Sequence, residues 1–490
     1  MSASSPEAEF LRRDSLTLRR PHPVPPPGIG FASPEGELLY SEASRDGTLE
    51  SLLVQLNFWE KVAELVFIFL LIANAIELSS RVFLGLGLGL TLAVRPRACL
   101  EFLLDSCDPF EKVRSEGLTF GKLALLAYQN GAEVELFRGN QCTIDDFRKY
   151  VVKCATSTDV YMVTYYDRAH LNQMRHAHFA PIGAYHGGRD LVLVIDVARL
   201  EYPPFWIPLE LLWKALTSTD EATGYQMGFM LLSRLPDDPC LIYSLSCRDE
   251  SWISTAEYLR QLPVVMKTED IKDIEHVLAI VFGSPSSNYG KFITRISKSN
   301  ADDGRSELPE VLRKKLVEVE AERLANQEEL LRQVQETQLY KHVGRWLDSK
   351  RSSSQYVASL GDSCTLPDIP VDWRGIHHLT SKPSSSPLDS NGRVNGSDRM
   401  LTVKLSGPGV ACTSPDGISL NDGLLAADAL TMMLFTLPPQ TWSGISNAKL
   451  SAEVKSLASI DNIPPLLKKE ALSLRKQLQL LMMDLGSYST

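Results

Sequence analysis

The sequence has no CxxC pair, no uninterrupted apolar run of the roughly 20 residues that span a bilayer, and no excess of basic charge. Its eight cysteines are scattered, which matches neither the spacing of a zinc site nor the dense pattern of a secreted disulfide scaffold. We therefore predict reduced thiols and a cytoplasmic protein. The net charge of −10 argues against a clustered basic surface, so no nucleic-acid partner is expected.

The most apolar stretch of the chain is Val62–Val94. Polar and charged residues from Glu77 to Arg81 divide it into two halves, each too short to cross a membrane. We interpret the stretch as a buried helix or an unusual insertion. A membrane-anchored variant is the disfavoured alternative.

The composition is that of an ordinary globular protein, with 44% hydrophobic and 22% charged residues in a chain of 490. The length is typical of several domains. Shifts in composition predict five regions. Residues 1–30 are predicted to be a disordered Pro-rich tail, and residues 31–298 a large domain of mixed helices and strands. Residues 306–343 are predicted to form an amphipathic helix, residues 348–399 a Ser- and Pro-rich linker, and residues 400–490 a small C-terminal domain. We expect the amphipathic helix to pack one apolar stripe; a coiled coil that joins two chains in a homodimer is the alternative.

Short apolar runs rich in β-branched and aromatic residues predict strands, and longer periodic runs predict helices. The strands are expected at Tyr161–Tyr166, Asp190–Val197 and Gly228–Ser233. The helices are expected at Gly121–Gln129 and Leu209–Leu216.

Two residues of the mixed region could cooperate in proton transfer. His178 lies before an apolar segment, and Asp196 lies at the end of the predicted strand Asp190–Val197. If His178 is on a neighbouring strand, the Asp196 carboxylate can orient the imidazole and stabilise its cation. By spacing alone, a structural role is the commoner one for such a pair. A metal site formed by His176, His178 and His186 is a further alternative, which nothing else in the sequence supports.

A series of short motifs occurs in one order along the chain. In that order they resemble the catalytic domain of the phytochelatin synthases. The motifs are Phe31–Gly36, Asp46–Glu50, Ser115–Lys122, Thr143–Lys149, His178–His186, Arg189–Arg199, Tyr202–Leu209, Gly228–Arg234 and Leu245–Trp252.

The resemblance implies an α+β, papain-like fold for residues 31–298 and a γ-glutamylcysteine dipeptidyl transpeptidase that makes phytochelatins from glutathione. It implies His178 as general base and acid, Asp196 as its orienting partner, and Arg199 as a candidate to bind a substrate carboxylate. It also implies glutathione and metal–glutathione complexes as partners. Cadmium or zinc, as a glutathione thiolate complex, would be the activating ion, because soft thiolates bind such metals.

One segment departs from the family. After Glu50 the family continues into a Gln-x5-Cys-Gly motif that supplies the nucleophile, whereas residues 51–98 contain no cysteine and Gln55 is followed six positions later by Lys61. Cys99 aligns with a different segment, so the nucleophile is unknown. Two interpretations stay open: residues 51–98 are an artefact of the gene model of an active enzyme, or the chain is a non-catalytic homologue that binds glutathione or metal thiolates.

Overall fold

A computed structural model of the protein describes residues 22–52, 106–109, 112–113, 116–173, 177–196, 202–221, 223–236, 242–248, 250–283, 289–295, 310–359 and 423–486. The chain divides into two compact units, Met1–Leu347 together with Ser419–Thr490, and Asp348–Ile418. The first unit therefore contains both the predicted catalytic domain and most of the segment predicted as a separate C-terminal domain.

A seven-stranded sheet organises the first unit. Its strand order is β1-β6-β5-β4-β3-β7-β2, and every neighbouring pair is antiparallel. A second sheet pairs β8 with β9. The strands are β1 (Ile29–Gly30), β2 (Ala132–Arg138), β3 (Val160–Asp167), β4 (Ala177–His186), β5 (Leu191–Val194), β6 (Phe205–Pro208), β7 (Gly228–Arg234), β8 (Tyr243–Leu245) and β9 (Ile293–Arg295).

Helices precede, connect and follow these strands. Short 3-10 turns at Arg168–Leu171 and Gly187–Arg189 flank strand β4. The helices are α1 (Pro34–Arg45), α2 (Phe120–Gln129), α3 (Ile144–Ala155), α4 (Leu209–Leu216), α5 (Ser251–Thr268), α6 (Ile274–Phe282), α7 (Tyr289–Phe292), α8 (Glu310–Glu336), α9 (Gln338–Ser359), α10 (Gly423–Thr436), α11 (Ala448–Leu457) and α12 (Pro465–Met482).

Apolar cores cover both faces of the sheet. Successive side chains of a strand point to opposite faces, so Tyr161, Val163 and Tyr165 of β3 join a core with α2, α5, α6 and the C-terminal helices. Met162 and Tyr166 join the opposite core with α3 and α4. Burial on both faces explains why the central strands have nearly continuous apolar sequences.

The predicted α+β class is confirmed, and each predicted strand and helix overlaps an observed one. Three predictions differ from the structure. Residues 22–30 of the predicted disordered tail are structured, because β1 pairs with β6. The predicted helix 306–343 is divided between α8 and α9, and α9 extends into the predicted linker, as far as Ser359.

The structure tests the prediction for the amphipathic segment but not the one for the apolar stretch Val62–Val94. Leu330, Val334, Leu339 and Val343 are buried in the same core as α2, as expected for a helical segment that packs one stripe. Val62–Val94 lies outside the described residues. Among the helices that are described, none has the length and apolar character needed to cross a bilayer.

Helix α12 supplies buried acceptors to backbone amides of strand β8. Glu470 Oε1 accepts hydrogen bonds from Ile242 N at 3.0 Å and Tyr243 N at 2.8 Å. Gln477 Oε1 accepts from Leu245 N at 2.8 Å. Because a buried amide without a partner is costly, these bonds hold α12 against the sheet domain.

Asp484, just beyond α12, likewise accepts a hydrogen bond from a buried backbone amide, here at the start of helix α2. Its carboxylate accepts from Gly121 N at 2.7 Å and from the Thr119 hydroxyl, and Arg138 Nη2 lies 3.5 Å away. Burial raises the pKa of Asp484 above its ordinary value, although these donors oppose the shift. The first turn of α2 is therefore completed by a residue from the far end of the chain.

We expect the substitution Glu470→Ala to lower the free energy of unfolding by about 2–4 kcal/mol, because it leaves the buried amides of Ile242 and Tyr243 without their acceptor and opens a cavity. Glu470→Gln keeps a carbonyl oxygen and should recover most of the loss. Glu453→Ala, on the exposed face of α11, is the matched control and should change little. Urea unfolding followed by circular dichroism measures all three; equal effects of the two alanine variants would contradict the anchoring role.

Candidate active site

Three strand termini meet at one edge of the large sheet. Strand β3 ends at Asp167, β4 begins at Ala177, and β5 ends at Val194. Because β4 is antiparallel to both neighbours, all three termini face the same edge. Asp167 pairs with Ala177, whereas Val194 pairs with Ile182 and the chain continues from there to Asp196. Side chains that are far apart in the sequence therefore lie close together at this edge.

His178 and Asp196 are in direct contact at this edge. His178 Nε2 lies 2.8 Å from Asp196 Oδ1, so the predicted contact is confirmed. Asp196 is fully buried and His178 is 4% exposed. Because a carboxylate only accepts hydrogen bonds, Nε2 carries the proton in this contact, and the basic lone pair of the neutral ring is on Nδ1.

Arg168 is a third member of the site that the sequence analysis missed. Its Nη2 donates to Asp196 Oδ2 and lies 2.9 Å from His178 Nε2. A guanidinium only donates hydrogen bonds, so its charge is compensated by the Asp196 carboxylate. Asp196 thus receives one donor on each oxygen. The available signal was an arginine two residues after the predicted strand Tyr161–Tyr166.

Aromatic rings enclose this charged group. The Arg168 guanidinium carbon lies 5.3 Å from the centroid of the Tyr202 ring. Tyr166 meets the His178 ring edge-to-face, with the centroids 5.9 Å apart. Burial, with the Asp196 charge as a second cause, raises the pKa of Tyr166, which is therefore neutral near pH 7. In such surroundings the attraction between Asp196 and a protonated His178 is stronger than in water.

The chain enters the site region through the loop that follows helix α1. The backbones of Thr48 and Tyr185 are bonded by Tyr185 N donating to Thr48 O at 3.3 Å, and the Thr48 hydroxyl donates to Tyr185 O at 2.5 Å. Leu52 packs against strand β4, since a Cβ at Gly183 would lie 2.9 Å from Leu52 Cδ1 and 2.6 Å from Ile195 Cδ1. Leu52, the second residue of the cysteine-free segment 51–98, therefore shares a core with Ile195, the residue that precedes Asp196.

The first family motif fixes helix α1, which leads to this loop. Ser33 caps the helix by accepting from Gly36 N at 3.0 Å and also donates to Gly30 O at 2.7 Å. Pro34 occupies the first helical position, where its fixed φ is favourable. A Cβ on Gly36 would come within 2.3 Å of Gly30 O and 2.6 Å of Phe31 O, so this close approach requires glycine.

Of the other candidate site residues, only His186 lies among the described residues. Arg199, Cys99, Gln55 and His176 lie outside the described residues. His186 is 2.8 Å from Glu42 Oε2, at the opposite end of strand β4 from His178. Within the described ranges no three His, Cys, Asp or Glu side chains are grouped as metal ligands.

Comparisons with family models cover most of the chain. A model described as "Phytochelatin synthase" matches residues 98–229. A second, described as "Domain of unknown function (DUF1984)", matches residues 247–390 and 410–478. The first match therefore begins at the C-terminal end of the cysteine-free segment and includes His178, Asp196 and Arg168.

Two curated relatives match over nearly the full length, and a third matches a shorter part of the chain. "Glutathione gamma-glutamylcysteinyltransferase 3" of Lotus japonicus is 38% identical over 474 residues, which cover 91% of this chain and 95% of the relative. "Glutathione gamma-glutamylcysteinyltransferase 1" of Arabidopsis thaliana is 35% identical, covering 93% and 94%. "Glutathione gamma-glutamylcysteinyltransferase" of Schizosaccharomyces pombe is 27% identical over 170 residues, covering 35% and 41%.

The geometry of Arg168 and Asp196 generates a prediction about stability. Either Arg168→Ala or Asp196→Ala should cost about 3–5 kcal/mol of unfolding free energy, because each leaves the opposite charge buried without its partner. The double variant should cost less than the sum of the two, with a coupling above about 1 kcal/mol. Urea unfolding of the four proteins measures this coupling.

The matched control is the exposed pair of Arg332 and Glu329, which is joined by two hydrogen bonds. Its substitution should leave the unfolding midpoint unchanged, because solvent screens the pair. Additive effects at Arg168 and Asp196 would contradict the buried contact.

Proposed function

Because the chain belongs to the phytochelatin synthase family, we propose that His178 and Asp196 are the acid–base half of a glutathione γ-glutamylcysteinyl transfer site. The observation that supports this most is the buried 2.8 Å contact between Nε2 and the carboxylate, at the residues that the family motifs align. A thiol nucleophile requires such a base next to it.

The proposed reaction proceeds in two halves. His178 Nδ1 takes the proton of a thiol, and the thiolate attacks the carbonyl of the cysteinyl residue of glutathione. The imidazolium, stabilised by Asp196, then protonates the amine of the leaving glycine. In the second half His178 takes a proton from the amine of a second glutathione or of a growing phytochelatin, which accepts the γ-Glu-Cys group. Arg199 is proposed to bind a substrate carboxylate, because a guanidinium matches a carboxylate bidentately.

Arg168 supports this half-site by acting through Asp196. A carboxylate that is buried without water is costly unless it is paired, and Arg168 provides the compensating charge. With both oxygens engaged, the carboxylate cannot rotate away from the imidazole. Arg168 is therefore proposed as a positioning residue.

The nucleophile is the missing part. Residues 51–98 contain no cysteine, and Leu52, at the start of that segment, packs with Ile195, the residue before Asp196. His178 and Asp196 move protons but cannot hold an acyl group. We therefore propose that the chain as written makes no phytochelatin, although its site is built for that transfer.

The same observation favours a second function, that of a non-catalytic homologue that binds glutathione or its metal thiolate complexes. Its ligand would be the complex that the enzymes of the family are expected to use, a cadmium or zinc ion held by glutathione sulfurs. The scattered cysteines favour the reducing cytoplasm as its location. Binding without turnover distinguishes this function from catalysis.

The experiment incubates the purified chain with glutathione and cadmium and measures glycine release. We expect no release above the rate without protein. A chimera in which residues 51–98 are replaced by a segment with the Gln-x5-Cys-Gly spacing should release glycine, and His178→Ala in that chimera should abolish the gain.

Two outcomes would overturn parts of this proposal. Turnover by the unmodified chain that Cys99→Ser abolishes would make Cys99 the nucleophile. An inactive chimera that nevertheless folds would remove the support for the transfer site. Calorimetric titration of the unmodified chain with cadmium–glutathione tests the second function, which fails if no heat of binding is measured.

A further inference from the structure

Two buried cysteines from distant parts of the sequence lie side by side in the first unit. Cys107 and Cys247 are both fully inaccessible to solvent. Cys247 N donates to the carbonyl of Ser106 at 2.8 Å, and the Ser246 hydroxyl donates to the same oxygen at 3.2 Å. The Ser106 carbonyl belongs to the same peptide group as Cys107 N, so this bond brings the backbones of the two cysteines together. Such proximity is what a disulfide requires, because it joins Cα atoms roughly 4.4–6.8 Å apart.

The two thiols differ in their ionisation. The adjacent Cys247 thiol and the nearby Lys122 ammonium hold the pKa of Cys107 below its usual value, although burial opposes this. Burial and the neighbouring Cys107 raise the pKa of Cys247. The pair therefore combines an activated sulfur with a protonated neighbour, the arrangement in which one thiol attacks and the other resolves.

Lys122 is held against the pair. Its Nζ donates to Asp108 Oδ2 at 2.5 Å, and Asp108 also lies 3.4 Å from Lys112 Nζ. Burial alone would lower the pKa of Lys122, but the neighbouring sulfurs and Asp108 raise it, so the ammonium persists. A fixed positive charge favours a thiolate at Cys107 and opposes a metal cation between the two sulfurs.

Two other described cysteines lack these features. Burial raises the pKa of Cys154 to about 12. Burial and Asp146 raise the pKa of Cys142. Both are therefore inert thiols near neutral pH, and Cys154 is a matched control because it is also fully buried.

We propose that Cys107 and Cys247 form a redox-active dithiol that hydrogen peroxide converts into a disulfide. The Cys107 thiolate attacks one peroxide oxygen, which forms a sulfenic acid and releases hydroxide. The sulfur of Cys247 then attacks the Cys107 sulfur, giving up its proton, and the sulfenic oxygen leaves as water. The two sulfurs lose two electrons in total and the two peroxide oxygens gain them. The step does not depend on the proposed transfer activity.

The disulfide would enclose the centre of the molecule. The chain between Cys107 and Cys247 contains strands β2 to β8 and the pair His178–Asp196. Closing so long a loop restricts the unfolded chain more than the folded one, in which the two residues are already adjacent. Oxidation is therefore expected to stabilise the sheet domain.

The test treats the full-length folded chain with a small excess of peroxide, blocks remaining thiols with an alkylating reagent and maps its peptides without reduction. We expect a linked pair of peptides that contain Cys107 and Cys247, lighter by two hydrogen atoms than their sum and separated by dithiothreitol. Cys154 should be alkylated only after unfolding.

The melting temperature of the oxidised chain should rise by several degrees, and Cys247→Ser should remove that rise. Linkage of Cys107 to another cysteine, or reaction of Cys107 no faster than Cys154, would overturn the proposal.

A second comparison tests whether the Lys122 charge makes Cys107 reactive, without removing either thiol. Lys122→Met should slow formation of the link at pH 7 by roughly threefold to tenfold, since less Cys107 is ionised, and raising the pH should restore the rate. Lys112→Met is the matched control, because it also contacts Asp108 but is not among the charges that act on Cys107. Equal rates in the two variants would contradict the role of the buried ammonium.

Discussion

The Asp196 carboxylate is the constraint on which the site depends. It is fully buried, and a buried charge is stable only when charged or polar partners surround it. Arg168 and His178 provide those partners from the ends of two neighbouring strands. Their positions require the antiparallel pairing of β3, β4 and β5, so the register of the sheet and the chemistry of the site are coupled. A shift of one residue in β4 would move His178 to the opposite face.

The C-terminal helices extend this dependence to the rest of the chain. Glu470, Gln477 and Asp484 accept hydrogen bonds from the backbones of β8 and of the start of α2. A helix that accepts hydrogen bonds from buried amides of another segment belongs to the same folded unit, because removal of the helix would leave those amides unsatisfied. This explains why residues 419–490 belong to the same compact unit as the sheet, although a composition shift separates them in the sequence.

The family relationship and the missing cysteine are compatible in physical terms. His178, Asp196 and Arg168 are positioned by the pairing of strands β3, β4 and β5, all of which are formed by residues outside 51–98. The contacts among Arg168, His178 and Asp196 therefore do not depend on a cysteine in residues 51–98. Leu52, at the start of that segment, packs with Ile195, the residue before Asp196.

The sequence by itself determined the α+β class, strands β3, β5 and β7, helices α2 and α4, and the pairing of His178 with Asp196, because local periodicity and the ordered motifs carry that information. The division of residues 306–343 into two helices was not predicted, because its apolar pattern continues through the break. Only the tertiary structure revealed Arg168, the anchoring by α12 and the contact of Cys107 with Cys247. Each joins residues that are far apart in the chain or that have no periodic signal of their own. Their partners are decided by how the strands pair, which no single segment specifies.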